Sequence, residues 1–298
     1  MDRRKRKSSG KLAAIIVMLV LCLLSAALIV KTVRNRAEQR KAKTEVTEEP
    51  APETQTAADD AAVKERLSHV FANSGASSEE KYTTAAFDGA IAAGNVCLAM
   101  PIVISADGTP YIADDDYIYE LTGMNAYLSG MTDGQIAGVK TKGGNDLLKL
   151  SDVFDKYGKD VTYVIEIKYT GDRNITAFTE TVKKYGFQDV TSVSSLYYAA
   201  LSRIESEFPE MQKLFLCEGD EDFNAALSLD YIDTISVEKA LVSDEKFARV
   251  HEAGKKAGAW TLNTEEEIRA ALDKGADSYY TDEGALAVSV ESSRQKGI

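Results

Sequence analysis

The sequence is poor in the side chains on which most metal and nucleophilic sites depend. Its 298 residues include three cysteines, two histidines and one tryptophan. A Cys-x-x-Cys pair and a Cys/His cluster are both missing from it, so a zinc site is not indicated. Cys97 and Cys217 stand in short apolar runs, where a buried free thiol is the expected state. A disulfide between them stays an alternative, because two distant strands would have to bring their Cβ atoms within bonding reach.

Long hydrophobic runs are equally scarce, and only residues 12–30 form one. This run is apolar apart from Ser25, and its length suits an α-helix that crosses a hydrocarbon core of about 30 Å. A cleaved signal peptide is the alternative, but its apolar region is usually shorter, about 7–15 residues. The sequence therefore predicts an N-terminal transmembrane helix.

Basic side chains flank this helix on both sides, so charge alone does not orient it. A short basic head usually stays inside the cell, whereas a long downstream domain is translocated regardless of its charge. We therefore expect a single-pass protein of the plasma membrane, with residues 1–11 in the cytoplasm and the folded domain outside.

The chain beyond the membrane helix has little positive charge. The whole chain has 35 basic and 47 acidic side chains. Residues 1–43 contain 12 of the basic and 2 of the acidic ones, which leaves 23 basic and 45 acidic side chains after residue 43. This acidity argues against a nucleic-acid partner. The basic flanks of the helix favour anionic head groups, so the membrane is the expected partner. Residues 31–62 turn from basic to acidic and indicate a disordered spacer.

After the spacer, short apolar runs alternate with amphipathic stretches almost to the C-terminus. Repeated βα units predict a parallel sheet, and eight of them are typical of a closed (β/α)8 barrel, here at residues 63–290 with a tail at 291–298. The predicted strands are 67–71, 96–105, 161–167, 190–194, 214–217, 231–236, 259–262 and 277–280. The predicted helices are 175–185, 199–207, 244–257 and 265–274.

Local signals support several of these boundaries. Thr264 and Glu267 form a capping box at the start of the last predicted helix, and Gly275 can end it. Asp107 and Gly108 indicate a tight turn between two extended runs. Residues 114–146 are rich in Gly, Asn and Asp and are typical of an inserted loop region over one end of the barrel.

Five segments, taken in order, resemble one family. Residues 105–110 are similar to a TKDGxP hairpin, residues 164–168 (VIEIK) to a strand-borne IEIK, and residues 195–201 to SFDPxxL. Residues 260–263 (WTLN) are similar to WTVN, and residues 275–282 (GADSYYTD) to GVDGIITD. Over residues 67–282 the chain therefore resembles the glycerophosphodiester phosphodiesterases.

The resemblance implies a (β/α)8 barrel whose site lies at the C-terminal ends of the strands. There a divalent cation, calcium or magnesium, and two histidines would cleave a glycerophosphodiester to sn-glycerol 3-phosphate and an alcohol. The first histidine, from the motif HRG, falls on His69, but Val70 and Phe71 replace the Arg and Gly that follow it. Valine cannot supply the hydrogen-bond donors of a phosphate-binding guanidinium.

The other positions implied by the resemblance are also altered. The metal-binding Glu of the motif ENT falls on Lys81, one residue after Glu80. The ExD ligand pair falls on Ala99 and Pro101, neither of which can give an oxygen to a hard cation. The second histidine falls on Asp114. We therefore expect any calcium or magnesium to be bound weakly or not at all.

Four implied site residues remain. Glu166 is a possible metal ligand and Lys168 a possible phosphate contact, and both face one side of a strand; pairing with each other is the alternative. Trp260 either lines the substrate pocket, where its ring can stack on a glycerol, or packs in the core. His69 is either a remnant held by hydrogen bonds or a working base.

A rearranged metal site is a further alternative. Asp114, Asp115 and Asp116 follow a predicted strand and could hold a cation together with Glu166. An ordinary solvated acidic loop accounts for the same residues.

Two functions follow, and the sequence leaves enzymatic activity open. In the first, the barrel is a catalytically impaired binding or scaffold module outside the membrane, with a glycerophosphodiester or glycerol phosphate as its ligand. One histidine cannot act as both the acid and the base that the inherited reaction needs, which favours this reading. In the second, an active phosphodiesterase works with a rearranged metal site.

Overall fold

The computed structural model describes residues 68–295. The predicted cytoplasmic head, membrane helix and spacer lie outside these residues. Within residues 68–295, none of the helices is both long enough and apolar enough to cross a membrane.

The predicted barrel is confirmed. Eight parallel strands pair in sequence, and the first strand closes the ring by pairing with both the second and the last. One short strand, β3, adds to β2 in an antiparallel hairpin. The strands are β1 Val70–Asn73, β2 Cys97–Ile104, β3 Pro110–Ile112, β4 Thr162–Ile167, β5 Thr191–Ser195, β6 Lys213–Cys217, β7 Thr234–Glu238, β8 Lys256–Trp260 and β9 Ser278–Thr281.

Helices follow the strands and cover the outside of the ring. They are α1 Thr84–Ala92, α2 Tyr119–Thr122, α3 Asp133–Ile136, α4 Leu150–Tyr157, α5 Asp172–Tyr185, α6 Tyr198–Glu207, α7 Asp220–Leu227, α8 Asp244–Glu252, α9 Glu265–Asp273 and α10 Gly284–Gln295. The capping box predicted at Thr264 and Glu267 is present at the start of α9. Amphipathic helices on a parallel sheet bury their apolar side against it, which gives the barrel its main core.

The strands divide their side chains between two apolar clusters. Residues that alternate with the helix-facing ones point into the barrel, where Phe71, Val164, Leu216 and Tyr280 pack together. The rings of Phe71 and Tyr280 meet edge to face at 4.9 Å. The barrel is thus filled by side chains, and only its two ends are free to form sites.

The predicted first strand is displaced from the observed one. An apolar run indicated residues 67–71, whereas β1 begins at Val70 and continues through Ala72 to the polar Asn73. The prediction failed because Asn73 faces the open end of the barrel, where a polar side chain suits a strand terminus. This shift of three residues decides the position of His69.

The eighth strand is displaced in the other direction. It was predicted at 259–262 and begins earlier, at Lys256. Gly258 lies in its middle because a Cβ there would come within 2.2 Å of the Ser236 hydroxyl on the neighbouring strand. A close approach between strands therefore explains the glycine within this strand.

The inserted region after β3 is more ordered than a loop. Between residues 114 and 147 it forms α2, a 3₁₀ turn at Leu128–Gly130 and α3. Its own small cluster includes Ile118, Leu128, Ile136 and Val139, all nearly fully buried. The predicted turn at Gly108 is present, with its backbone N–H donating to the Ser105 carbonyl.

Candidate functional site

A cavity of about 280 Å³ opens at the carboxyl ends of the barrel strands. Its polar lining comes from several strands that are far apart in sequence, and its apolar wall includes Trp260. The charged and hydroxyl-bearing residues of the lining are Asp114, Glu166, Lys168, Ser194, Glu218, Thr261 and Tyr280. Catalytic and binding groups of (β/α)8 barrels lie at this end, so the cavity is the candidate site.

β4 positions two of these residues by simple alternation. Ile165 and Ile167 face the surrounding helices, so Glu166 and Lys168 face the cavity. Within residues 68–295 the structure has no salt bridge between Glu166 and Lys168, and neither side chain hydrogen-bonds to another described residue. The mutual pairing considered as an alternative is therefore not formed, and both charged groups are available to a ligand.

The electrostatics of Glu166 reflect its position inside the mouth. Burial raises the pKa of its carboxyl group above the usual value, the Lys168 ammonium opposes this, and the Asp114 carboxylate adds to it. Negative charge at Glu166 is thus disfavoured by its surroundings.

Asp114, the residue on which the resemblance places the second histidine, is already engaged. The buried Tyr82 hydroxyl donates a hydrogen bond to the Asp114 carboxylate. The backbone of Tyr82 has a φ of +61°, which is rare for a residue with a bulky side chain. Strained residues of this kind collect at functional sites, and here the strain holds a tyrosine against the acid.

The acidic residues after Asp114 serve the inserted region. The Asp115 carboxylate accepts from the Tyr169 hydroxyl at 3.0 Å and the Tyr117 backbone N–H at 3.2 Å. The Asp116 carboxylate accepts from the Ser129 backbone and hydroxyl at 2.6 Å each. These carboxylates fix loops, and Asp116 does not line the cavity.

Glu80 also has a structural role. Its carboxylate accepts from the Thr141 hydroxyl at 2.5 Å, and from the Gly143 N–H and the Asn145 amide at 2.7 Å each. Burial acts to raise the pKa of Glu80, and these hydrogen bonds lower it by more. The neighbouring Lys81 is exposed and lines a separate cavity beside the inserted region.

These residues do not fit a calcium or magnesium ion. Ala99 and Pro101 bring no oxygen to the mouth, and Asp114 is engaged by a tyrosine. Within the described part of the chain, no three His, Cys, Asp or Glu side chains are grouped so that they could hold a metal ion. The metal role considered for Glu166, Asp114 and Asp115 therefore receives no support from the geometry of the described residues.

His69 lies at the opposite end of the barrel from this cavity, which corrects its sequence-based placement. It precedes β1, beside the first residues of β4 and β8, Thr162 and Lys256. Its Nε2 lies 3.0 Å from the Glu291 carboxylate on α10. The error arises because the first strand begins three residues later than predicted. His69 therefore precedes β1, and a residue before a parallel strand lies at the amino end of the barrel. His69 is a structural contact and cannot reach the site.

This contact gives a pH-dependent prediction. Burial acts to raise the pKa of Glu291, but the hydrogen bond and charge of His69, together with the Tyr279 hydroxyl and the Arg294 charge, lower it by more. A carboxyl group with a lowered pKa stabilises the fold above its unfolded pKa and loses that contribution as the pH falls through the folded value. We expect His69→Ala to lower the free energy of unfolding by about 1 kcal/mol near neutral pH and by less in acid.

Urea unfolding of both proteins between about pH 3 and pH 7 measures this difference. His251→Ala is the matched control, because the pair that His251 forms with Asp277 at 2.8 Å is more exposed and should contribute less. A cost of His69→Ala that does not change with pH would contradict the assignment.

Asn73, Ser74 and Gly75 occupy the place that the motif HRG should have at the mouth. They follow β1 at its carboxyl end, and Gly75 keeps the third residue of the motif. The Asn73 amide donates to the Asp282 carboxylate at 2.8 Å, and the Asn263 amide donates to the same carboxylate at 2.9 Å. Where the resemblance implies an imidazole at the mouth, an amide therefore ties β1 to the ends of β8 and β9.

Trp260 lies in the cavity wall and also packs inside the barrel, so both sequence-based alternatives describe it in part. Its indole N–H donates to the Ser236 carbonyl at 2.9 Å.

Sequence analysis missed Ser194, Glu218 and Tyr280. Only barrel closure brings them together, and no local pattern in the sequence distinguishes them.

Fold and site together define a parallel (β/α)8 barrel with a polar cavity at the carboxyl ends of its strands. The family model of the glycerophosphoryl diester phosphodiesterase family matches residues 74–285. The chain belongs to this family. No curated protein gave a match.

Solved structures share the fold. A phosphodiesterase from Oleispira antarctica in complex with the product sn-glycerol-3-phosphate is 20% identical, with a TM-score of 0.69 over 76% of this chain and 98% of that one. The glycerophosphodiester phosphodiesterase of Thermotoga maritima is 22% identical, with a TM-score of 0.64 over 74% and 97%. That of Agrobacterium tumefaciens is 17% identical, with a TM-score of 0.66 over 75% and 98%.

Proposed function

We propose that this protein is a membrane-anchored barrel that binds a glycerophosphodiester or a related glycerol phosphate without hydrolysing it. One observation carries the proposal: the mouth keeps a ligand-sized cavity with Lys168 and Trp260, while Asn73 and Asp114 stand where the family's two imidazoles are implied. A binding site has been retained there and the acid/base pair has not.

Hydrolysis of a phosphodiester requires one group to activate the nucleophile and another to protonate the leaving oxygen, each contributing about 10²–10⁴-fold. The amide of Asn73 cannot transfer a proton at neutral pH. The Asp114 carboxylate already accepts the Tyr82 hydrogen bond. With no fitting cation to polarise the phosphate, the inherited route has lost both of its main sources of rate.

The ligand class is supported by the chemistry of the lining. The Lys168 ammonium suits a phosphate oxygen, and the face of Trp260 suits the carbon side of a glycerol. The Oleispira antarctica relative was solved with sn-glycerol-3-phosphate. The long apolar run at residues 12–30 supports a membrane tether for this barrel, at the plasma membrane and with the barrel outside.

The prediction is that the full chain, purified in detergent, releases no glycerol 3-phosphate from glycerophosphocholine or glycerophosphoethanolamine, with calcium or magnesium present. We expect the same ligands to bind in calorimetric titration. Turnover that a chelator abolishes and that Glu166→Gln removes would establish the active phosphodiesterase instead. Absence of both turnover and binding would show that the retained cavity serves another ligand.

A further inference from the structure

The cavity presents one cation among its described lining residues, Lys168. Its ammonium is partly buried and has no hydrogen-bond or salt-bridge partner within residues 68–295. An unpaired, half-buried ammonium in a site without a fitting metal is the natural counter-charge for an anionic ligand.

Two hydroxyl groups at the inner end of the cavity also lack partners. Ser194 is fully buried and Tyr280 is 6% exposed, and neither hydroxyl has a hydrogen-bond partner in the part of the chain that is described. The two groups are neighbours, but they fall short of a well-formed hydrogen bond with each other. Phe71 fixes the Tyr280 ring by an edge-to-face contact. A buried donor without an acceptor is costly, and both residues line the cavity. Each hydroxyl oxygen has less than 1 Å² of exposed surface, so a ligand oxygen reaches it only when the side chains around it move.

Three carboxylates line the same cavity as this single ammonium: Asp114, Glu166 and Glu218. The fixed charges of the mouth are therefore negative in sum. Each additional negative charge on a ligand is repelled by the carboxylates, whereas the first is compensated by Lys168. The mouth should tolerate one negative charge better than two.

From these three observations we infer that the mouth binds a phosphodiester directly through Lys168, Ser194 and Tyr280, without a divalent cation, and that it prefers a singly charged diester to a doubly charged phosphate monoester. This inference rests on the proposed function. It gives the site a preference for the intact diester over the monoester that hydrolysis would release.

The test is calorimetric titration of the full chain in detergent at pH 8, with excess EDTA and then with calcium or magnesium. Glycerophosphoglycerol is the diester probe, and glycerol 3-phosphate is the monoester probe, which is doubly charged well above its second pKa of about 6. We expect the diester to bind equally well with and without the cation, and about tenfold more tightly than the monoester.

Two variants and one control assign the binding groups. Lys168→Met should weaken diester binding by about 10- to 100-fold. The control is Lys184→Met, which removes the same charge from the exposed face of α5. Tyr280→Phe should weaken binding without lowering the unfolding temperature, because it removes a buried hydroxyl that has no partner in the free protein. A tyrosine with only a packing role would leave the affinity unchanged.

Glu166→Gln distinguishes a metal-free site from a metal site, because it should change the affinity for the diester in opposite directions. In a site without metal, removal of this carboxylate charge should tighten binding of the diester by severalfold, whereas in a metal site it should weaken binding. Glu180→Gln, an exposed position on α5, controls for the change in net charge.

The outcomes separate the two claims. Diester binding that appears only with the cation, or equal affinity for the monoester, overturns this inference and leaves the proposed binding function intact. Absence of binding for both probes under every condition overturns both.

Discussion

Replacing Gly75 by alanine is expected to destabilise the barrel by about 3–5 kcal/mol. Gly75 has a φ of +97°, a region that residues with a Cβ rarely adopt. A Cβ at this position would also come within 2.5 Å of the Ala86 side chain and 2.6 Å of its backbone carbonyl carbon. The neighbouring Ala76 N–H donates to the Ala86 carbonyl at 2.8 Å, so the loop after β1 cannot move away from α1 without losing that bond.

The control for Gly75→Ala is Gly108→Ala. Gly108 has a similar φ of +91°, but no atom lies within 4 Å of its added Cβ. Gly108→Ala should therefore lower the free energy of unfolding by only about 1–2 kcal/mol, the cost of the left-handed backbone conformation. Urea unfolding of the full chain, followed by far-ultraviolet circular dichroism, measures both changes. If both substitutions lowered the free energy of unfolding equally, the contact with α1 would be unimportant, and the backbone conformation alone would account for the glycine at position 75.

Gly75 also explains why the motif at the first strand was placed wrongly from sequence. A histidine was sought for the motif HRG, and His69 stands within an apolar run that resembles a strand. In the structure, residues 73–75 and not residues 69–71 lie at the carboxyl end of β1 at the mouth, where the resemblance implies the motif HRG. The contact with Ala86 requires a glycine at position 75.

Other parts of the fold were predictable because they depend on local patterns. The alternation of β4 fixes the direction of Glu166 and Lys168, and the capping box at Thr264 fixes the start of α9. The barrel class follows from repeated βα units. Strand ends were less predictable, since polar or small residues such as Asn73 suit the open end of a barrel as well as they suit a loop.

The missing part of the site could not be read from the sequence because closure of the ring creates it. Tyr280 on the last strand points into the interior beside Ser194 on β5, and nothing near either residue in the sequence announces the other. Asn73 and Asp282 are 209 positions apart and meet only because β1 pairs with β9. The proposed loss of catalysis likewise depends on groups that only such long-range pairing brings together.

The second large effect is expected at Lys213, a lysine with no exposed surface at the start of β6. Its ammonium lies 2.8 Å from the Glu205 carboxylate and donates to the Met211 carbonyl at 2.6 Å and the Pro209 carbonyl at 3.3 Å. Lys213→Met keeps an unbranched side chain of similar length and removes the charge. We expect a loss of about 3 kcal/mol, at the lower end for a broken buried pair, because Glu205 is 27% exposed and can still reach water.

Lys183→Met is the matched control, since Lys183 on α5 pairs at 2.6 Å with Glu207 on α6, the helix that also carries Glu205, but both side chains are 48% exposed. An exposed pair of this kind contributes about 0–1 kcal/mol, so the midpoint of urea unfolding should hardly change. In the Lys213→Met background, Glu205→Gln should recover part of the lost stability, because it removes the carboxylate charge that has lost its partner. If the two lysine variants unfold at the same urea concentration, the buried ammonium does not organise the start of β6, and the packing of its aliphatic stem accounts for its burial.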